Sequence, residues 1–492
     1  MKRLNLLYTG LVSCMLLSTT ACSDYLDIND NPNYPAEVSY TSLLPSGVAS
    51  TVAVLGSSYE LYGGMWSQHY MQGQTSNQYN TICNYSITNS AESRMWSIPY
   101  SIALPDLDLV IKQAEEDGAW NYWAVAKVMT AFTYHILVDT YGSIPFTEAL
   151  KADDGIVSPK FDDSKTIVYP GLIAMLDEVI GKSGELSGTS LPALSTQDYI
   201  FGSSKGTDMS KWISFAKSLK LKLLMRDFDA NKAAIQALLS EDDLLTVDAK
   251  MDLFMDLENK SNPLYENDRR KLNTKNNIRA CATLCEYMKK YDDPRLSDFF
   301  NPNEDGTGTT PLKCGDRPTE LKTNQVSIVV LEATDPVYLM SASEIAFLKA
   351  EAYARLNDTE KAKNNYNQGV KLAFERWGKD ASSFTAEGGA YAFDSKDQHS
   401  MLKSILTQKW IASTRCQAWD AWFDINRTGI PALGATFPDE ENYVWGELTP
   451  CVGSALGAGE YPRRMLYPKG SSDYNSNTPV VVPLQEKQWW HK

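Results

Sequence analysis

The stretch SASEIAFLKAEAYARLNDTEKAKNNYNQGVKLAFERWG, residues 341–378, carries two helical repeats back to back. In its first half Ile345, Leu348 and Ala352 fall on one face, with Phe347, Ala350 and Ala354 beside them. That is the spacing of a helix that buries one side. Ser341 or Ser343 supplies a hydroxyl to cap the start, and Glu344 adds an acid to the first turn, where free N–H groups favour negative charge. Asn357-Asp358 interrupts the pattern. Ala362, Tyr366, Val370 and Phe374 then resume it, and Gly378 ends the second helix, since glycine takes up a left-handed terminal turn at no steric cost.

Two amphipathic helices joined by a two-residue turn, with small residues at their crossing, resemble a tetratricopeptide unit. Further pairs are expected at NYWAVAKVMTAFTYHILVDTYG, at KWISFAKSLKLKLLMRDFDANKAAIQALLS and at MLKSILTQKWIASTRCQAWDAWFDINRTG. Their spacing is uneven, so a regular solenoid is not expected. Between them lie long polar stretches, and nearly everything after Pro431 is irregular. Loops of such length usually carry function. No linker divides the chain. The expected architecture is all-α, one domain over residues 41–492 built from helix pairs and decorated with long irregular loops.

The chain opens with Lys2 and Arg3, an apolar run from Leu6 to Leu17, and small residues up to Ala21. This is the layout of a secretory signal, and the run is too short to span a membrane. Cys22 follows STTA and stands where a bacterial lipoprotein signal is cut and acylated. Residues 1–21 read as a lipoprotein signal peptide. Residues 22–40, rich in acids, Asn and Pro, read as a lipidated tether with little to bury. Removing the signal takes away Lys2 and Arg3 and leaves 44 basic against 61 acidic groups, a net charge of −17. So acidic a surface argues against nucleic acid.

The cysteines left after Cys22 are too sparse for a disulfide scaffold. Cys281 and Cys285 stack on one helix face as buried thiols; with four scattered histidines and no H-E-x-x-H pattern, no metal site and no cofactor is expected. Enzyme motifs such as G-x-S-x-G or a Walker loop are missing. Asp153-Asp154, Asp162-Asp163 and Asp242-Asp243 read as solvated charges rather than the paired carboxylates of a glycosidase. A surface glycoside hydrolase is the enzyme alternative.

Several strings follow one another in a fixed order: DINDNPNYP, YGSIPFTEAL, DYIFGSSKGTDMSKWISFAKSLKLKLLMR, NPLY, YDDPRLSDFF, EIAFLKAEAYARL, QKWIASTRCQAWDAWFDINRTGIP, YPRRMLYP and a closing WW. Together they resemble the SusD/RagB family of outer-membrane nutrient-binding lipoproteins over almost the whole mature chain. Asn426-Arg427 departs from the pair of arginines the family often shows, and Ser472-Asp473 stands near a usual Glu. The resemblance implies tetratricopeptide-like helix pairs under a loop-rich face. It also implies surface exposure on the outer membrane through the lipid anchor, and a SusC-like TonB-dependent transporter as partner. The implied ligand is an oligosaccharide or, in some members, a peptide.

Trp212, Phe215 and Leu219 have core spacing, and Trp410, Trp419 and Trp422 are expected to pack between helices. Arg463 and Arg464 are expected to tie the late loops to carbonyls or acids. Ligand contact is expected instead in YELYGGMWSQHYMQGQTSNQYNTICNYSI, residues 59–87, where flat rings alternate with amides. Rings stack on the C–H faces of sugars, and amides bond hydroxyls in either direction. The candidate binding residues are Trp66, Tyr70, Asn77 and Tyr79, with Trp96 and Arg317 outside the segment.

Overall fold

The structure, a computed structural model, describes residues 38–186, 194–203, 206–272, 276–304, 306, 308–318 and 320–492. The signal segment 1–21, Cys22 and the tether up to residue 37 lie outside the described residues.

Ser39 accepts a hydrogen bond from the Thr41 amide and starts helix α1 (Tyr40–Val54), which continues through a wider turn into α2 (Glu60–Trp66). The scaffold then runs through α3 (Leu104–Glu116), α4 (Trp120–Tyr141), α5 (Tyr169–Gly181), α6 (Met209–Leu224), α7 (Phe228–Glu241) and α8 (Ala282–Lys290). It closes with α9 (Ala342–Arg355), α10 (Thr359–Glu375), α11 (Gln398–Ala412) and α12 (Ala418–Thr428). Consecutive helices pack against each other as α3 with α4, α4 with α5, α6 with α7, α9 with α10 and α11 with α12. The α9–α10 pair is built as the sequence indicates: Ser341 caps α9 through the Glu344 amide (3.2 Å) and Asp358 caps α10 through the Lys361 amide (3.1 Å).

Strands are confined to short pairs among the described residues. β1 (Tyr70–Gln72) runs antiparallel to β3 (Ile278–Ala280), with Tyr70 opposite Ala280; β2 (Ala249–Met251) pairs with β4 (Val337–Met340). Helix pairs, not sheets, therefore carry the core, and the fold is all-α. Trp212, Phe215 and Leu219 are fully buried in it, as are Trp410, Trp419 and Trp422. Cys281 and Cys285 are buried too, and burial pushes both thiols up.

Four helices meet around charge. Lys222 of α6 is buried between Glu344 of α9 (2.8 Å) and Asp420 of α12 (2.6 Å), and Lys409 of α11 lies 3.0 Å from Asp420 and 2.5 Å from Asp424. Arg427 extends the chain of ions to Glu351 (2.7 Å) and Asp424 (2.7 Å). Burial raises the Glu344 carboxyl above its usual range, whereas the ammonium groups of Lys222 and Lys409 outweigh burial and hold Asp420 below it. Lys409 is pushed up by the carboxylates around it despite its burial.

The C-terminal segment seals the other side. Arg463 donates to Asn426 Oδ1 (3.2 Å), Arg464 donates to the Tyr141 carbonyl, and Gln488 Nε2 donates to the Asp139 carbonyl (2.7 Å). One acidic pair departs from the solvated reading. Asp162 is buried, accepting from the amides of Phe146 (3.2 Å) and Thr147 (2.7 Å), because the irregular loop after α4 needs acceptors for its free N–H groups.

Candidate functional site

The structure corrects the reading of residues 59–87 as a ligand face. Trp66 and Tyr70 are enclosed in the core and offer no ring face to a ligand. Trp66 packs edge-on against Trp422 (4.8 Å) and donates its indole N–H to the Ile82 carbonyl (3.1 Å). Gly63 shows why the first part of the segment, residues 59–74, lies inside: a Cβ there would sit 2.2 Å from Trp419 Cα, so α2 and α12 cross at backbone distance. Tyr79 is also buried, its hydroxyl 3.4 Å from Asp268 Oδ1.

The amides Gln68, Gln72 and Gln74 serve irregular backbone, within the segment and in the loops packed on it. Gln68 Oε1 accepts from the Thr449 amide (2.8 Å), Gln72 bridges the Ser76 carbonyl and the Tyr79 amide, and Gln74 donates to the Leu321 carbonyl (3.0 Å). Asn77 and Arg317 do come together, but as partners. Arg317 donates to Asn77 Oδ1 (2.8 Å) and to the carbonyls of Gln74 (3.1 Å) and Ser76 (2.7 Å), so its guanidinium holds the 74–77 turn.

Trp96 stands apart from the other candidates, half-buried in the wall of an open cleft of about 650 Å³. It sits on a helical turn, Arg94–Ile98, and is held by Phe161 stacked at 5.8 Å, by Tyr100 at 4.8 Å and by Tyr141 edge-on at 4.9 Å. The Tyr100 hydroxyl donates to the Pro145 carbonyl (2.7 Å); burial pushes its phenol well up, so it remains a neutral donor.

Three elements frame the cleft. Pro105, Asp108, Leu109 and Lys112 recur at helical spacing along α3 and form one wall. Asp108 and Lys112 pair at 2.7 Å, and the hydrogen bond that Lys112 donates to Asp108 raises the ammonium pKa. The loop after α4 forms the second wall. The Ile144–Asp162 bridge closes it at its base, and Glu148 accepts from the Lys160 amide (2.9 Å). The turn Lys469–Tyr474 makes the third side. Asn475 Nδ2 donates to the Pro159 carbonyl (2.8 Å) and Asn477 Nδ2 to that of Ser158 (2.8 Å), tying this rim to the α4 loop.

Leu109 (44% exposed), Val157 (78%) and Tyr474 (86%) show apolar surface at the opening. A cleft of this size, apolar with a few convergent polar groups, is the usual form of a small-ligand site. Flat and aliphatic surfaces suit the C–H faces of sugar rings, while Asn475, Ser471, Glu148 and Asp153 offer hydrogen-bond partners for hydroxyls. Among the described residues no group of three or more His, Cys, Asp or Glu side chains is placed to hold a metal ion, and no helix is long and apolar enough to cross a membrane. Sequence reasoning missed Tyr474, Leu109 and Val157. Glu148 lies in the family-like string YGSIPFTEAL, the one signal that pointed toward this wall.

Helix pairs carrying an open, aromatic-walled cleft define a ligand-binding protein. The chain belongs to the SusD-like family described as "Starch-binding associating with outer membrane" (SusD-like_2), which matches residues 32–468. It is a family of binding proteins, not enzymes. Among solved structures, a SusD homologue from Bacteroides uniformis is 24% identical, covering 93% of this chain and 100% of that one, with a TM-score of 0.74. A homologue from Bacteroides ovatus is 21% identical over 92% of this chain and 98% of its own (TM-score 0.72). A chitin-binding SusD homologue from Flavobacterium johnsoniae is 18% identical over 91% and 98% (TM-score 0.73). No curated protein matches the chain.

Proposed function

We propose that this protein is an outer-membrane lipoprotein, anchored through Cys22 and exposed at the surface, that captures an oligosaccharide and passes it to a TonB-dependent transporter. The cleft beside Trp96 is its binding site. The observation that supports this most is the joining of an exposed ring, Tyr474, with a half-buried one, Trp96, across about 650 Å³ in a family described as starch-binding. The likeness to a chitin-binding homologue makes chitin fragments the second class of glycan to try. Several acyl chains on Cys22, at about 0.8 kcal/mol per buried methylene, would give a stable anchor.

Calorimetry with maltohexaose and chitohexaose tests the reading. Tyr474→Ala should weaken binding by about 1 kcal/mol, several-fold in Kd, the lower end of what stacking platforms contribute. The loss should come without a change in melting temperature, because the ring is exposed. Unchanged affinity in Tyr474→Ala, or in Trp96→Ala once folding is verified, would place the site elsewhere. Incorporation of labelled fatty acid should vanish in Cys22→Ala; persistence would refute the anchor.

A further inference from the structure

Cys314 and Cys451 stand about 140 residues apart in the chain, one on the irregular segment between α8 and β4, the other on the segment after α12. The fold brings those segments to backbone distance. The Cys314 carbonyl accepts from the Val452 amide (2.7 Å). Gly315 makes the approach possible: its φ is +73°, and a Cβ there would stand 2.1 Å from the Val452 carbonyl oxygen and 2.8 Å from Cys451 Sγ. The Cys451 sulfur therefore lies against the residue next to Cys314, and the two thiols are hydrogen-bond neighbours. That hydrogen bond, with burial behind it, holds the Cys314 thiol well above its usual range.

Three other thiols are turned to other groups. Cys83 donates to Met65 Sδ (3.5 Å), Cys281 to Thr283 Oγ1 (3.8 Å) and Cys416 to Gln417 Oε1 (3.8 Å). Cys83 meets Cys451 through its backbone, its carbonyl accepting from Cys451 Sγ (3.0 Å). Access differs between the two partners. Cys314 is 1% exposed, whereas Cys451 is partly exposed and precedes Val452, which is 38% exposed. One sulfur can meet a reagent from solution, and the other can resolve what forms there.

We propose that Cys314 and Cys451 form a covalent cross-link site, closing to a disulfide in the exported protein and stapling the two irregular segments together. Disulfides persist in oxidising compartments outside the cytosol. The oxidant is itself a disulfide, that of a thiol oxidoreductase or of oxidised glutathione. Cys451 gives up its proton and attacks one sulfur of the oxidant, whose other sulfur leaves as a thiolate. Cys314 then gives up its proton, attacks Cys451 Sγ and displaces the oxidant's remaining sulfur. Two electrons pass to the oxidant, and the two protons end on its thiols. Arg317 on one segment holds the 74–77 turn and Thr449 on the other holds Gln68, so the staple fixes both supports of residues 68–77. The encounter with an oxidant rests on the export reading; the choice of partners rests on the geometry.

Mass spectrometry of the full chain, taken from the membrane fraction and alkylated with N-ethylmaleimide in denaturant, tests both parts. Trypsin cutting after Lys313 and Lys322 frees Cys314, and cutting after Arg427 and Arg463 frees Cys451. Without reduction the two peptides should run as one linked species that dithiothreitol separates. The same link should form when reduced, purified protein is incubated with oxidised glutathione. Closing a loop of this span should raise the melting temperature by about 5 °C over the reduced form, a difference that Cys451→Ser should abolish. Two alkylated thiols after that incubation overturn the proposal, as does a link from Cys83 to either cysteine in place of this one. A link formed with glutathione, beside free thiols in the membrane fraction, supports the pairing and counts against export.

Discussion

Glu60 should make stability depend on pH in a direction opposite to that of most acids. Its carboxylate is buried at the start of α2, where Oε2 accepts from the Ala418 amide (2.9 Å) and Oε1 from the Tyr70 hydroxyl (3.3 Å). Burial raises its pKa from 4.5 to about 7, outweighing those two bonds and the Arg415 charge. Because the folded-state value lies above the unfolded one, the folded protein holds this proton more tightly. The stabilisation is full below pH 4.5 and is lost as pH rises through 7. At about 1.4 kcal/mol per pH unit the loss approaches about 3 kcal/mol. Glu60→Gln keeps the shape and an acceptor for Ala418 but cannot ionise. Its stability relative to wild type should therefore climb by about 3 kcal/mol between pH 4.5 and 8. For a domain of this length that is about 3 °C in melting temperature. Urea denaturation of both proteins at several pH values measures the gap, in which the titrations of the buried histidines cancel. A gap that does not change with pH would refute the assignment.

Lys222→Met should cost about 3–5 kcal/mol in denaturant titrations, since it leaves Glu344 and Asp420 buried against Lys409 alone of the two lysines, and Glu344→Gln should restore part of it. Trp212→Ala should cost about 3–5 kcal/mol, because the ring is fully buried and its N–H bonds Asp198 Oδ2 (2.8 Å). Tyr474→Ala should leave the melting temperature in place. Burial pulls His69 down from 6.5 to about 3, so stability is complete above pH 6.5 and declines as pH falls toward 3; His69→Phe should flatten that decline in acid melts.

The helix pairs were legible because their signal is local. Spacing, a capping Ser341 or Asp358 and a closing glycine are all read within one turn of the residues concerned. The role of residues 59–87 was not legible. A ring-and-amide composition describes a glycan-binding loop and equally an irregular segment that must satisfy its own backbone inside a core. What decides between them is the α2–α12 crossing at Gly63, a contact between residues more than 350 positions apart. The cleft is non-local as well: Trp96, Leu109, Val157 and Tyr474 come from four separate stretches, and only Trp96 stood out in its own. Asp162 was misread for a related reason. A doublet of aspartates looks solvated until the loop folds back and presents it with two amides.

The charge cluster between α6, α9, α11 and α12 has a consequence for how the chain can be divided. Its members, from Lys222 to Arg427, are spread across almost half the sequence, and each ion is tolerable in its dry setting only when the others have arrived. A fragment ending before α9 would hold Lys222 without Glu344 or Asp420, and the complementary fragment would leave those two carboxylates to share Lys409. Neither piece is expected to persist as a folded body after proteolysis or truncation. Loops, by contrast, can be exchanged at the surface without touching this knot, so new ligand preferences can be acquired by replacing what surrounds the cleft while the helices that support it keep their partners.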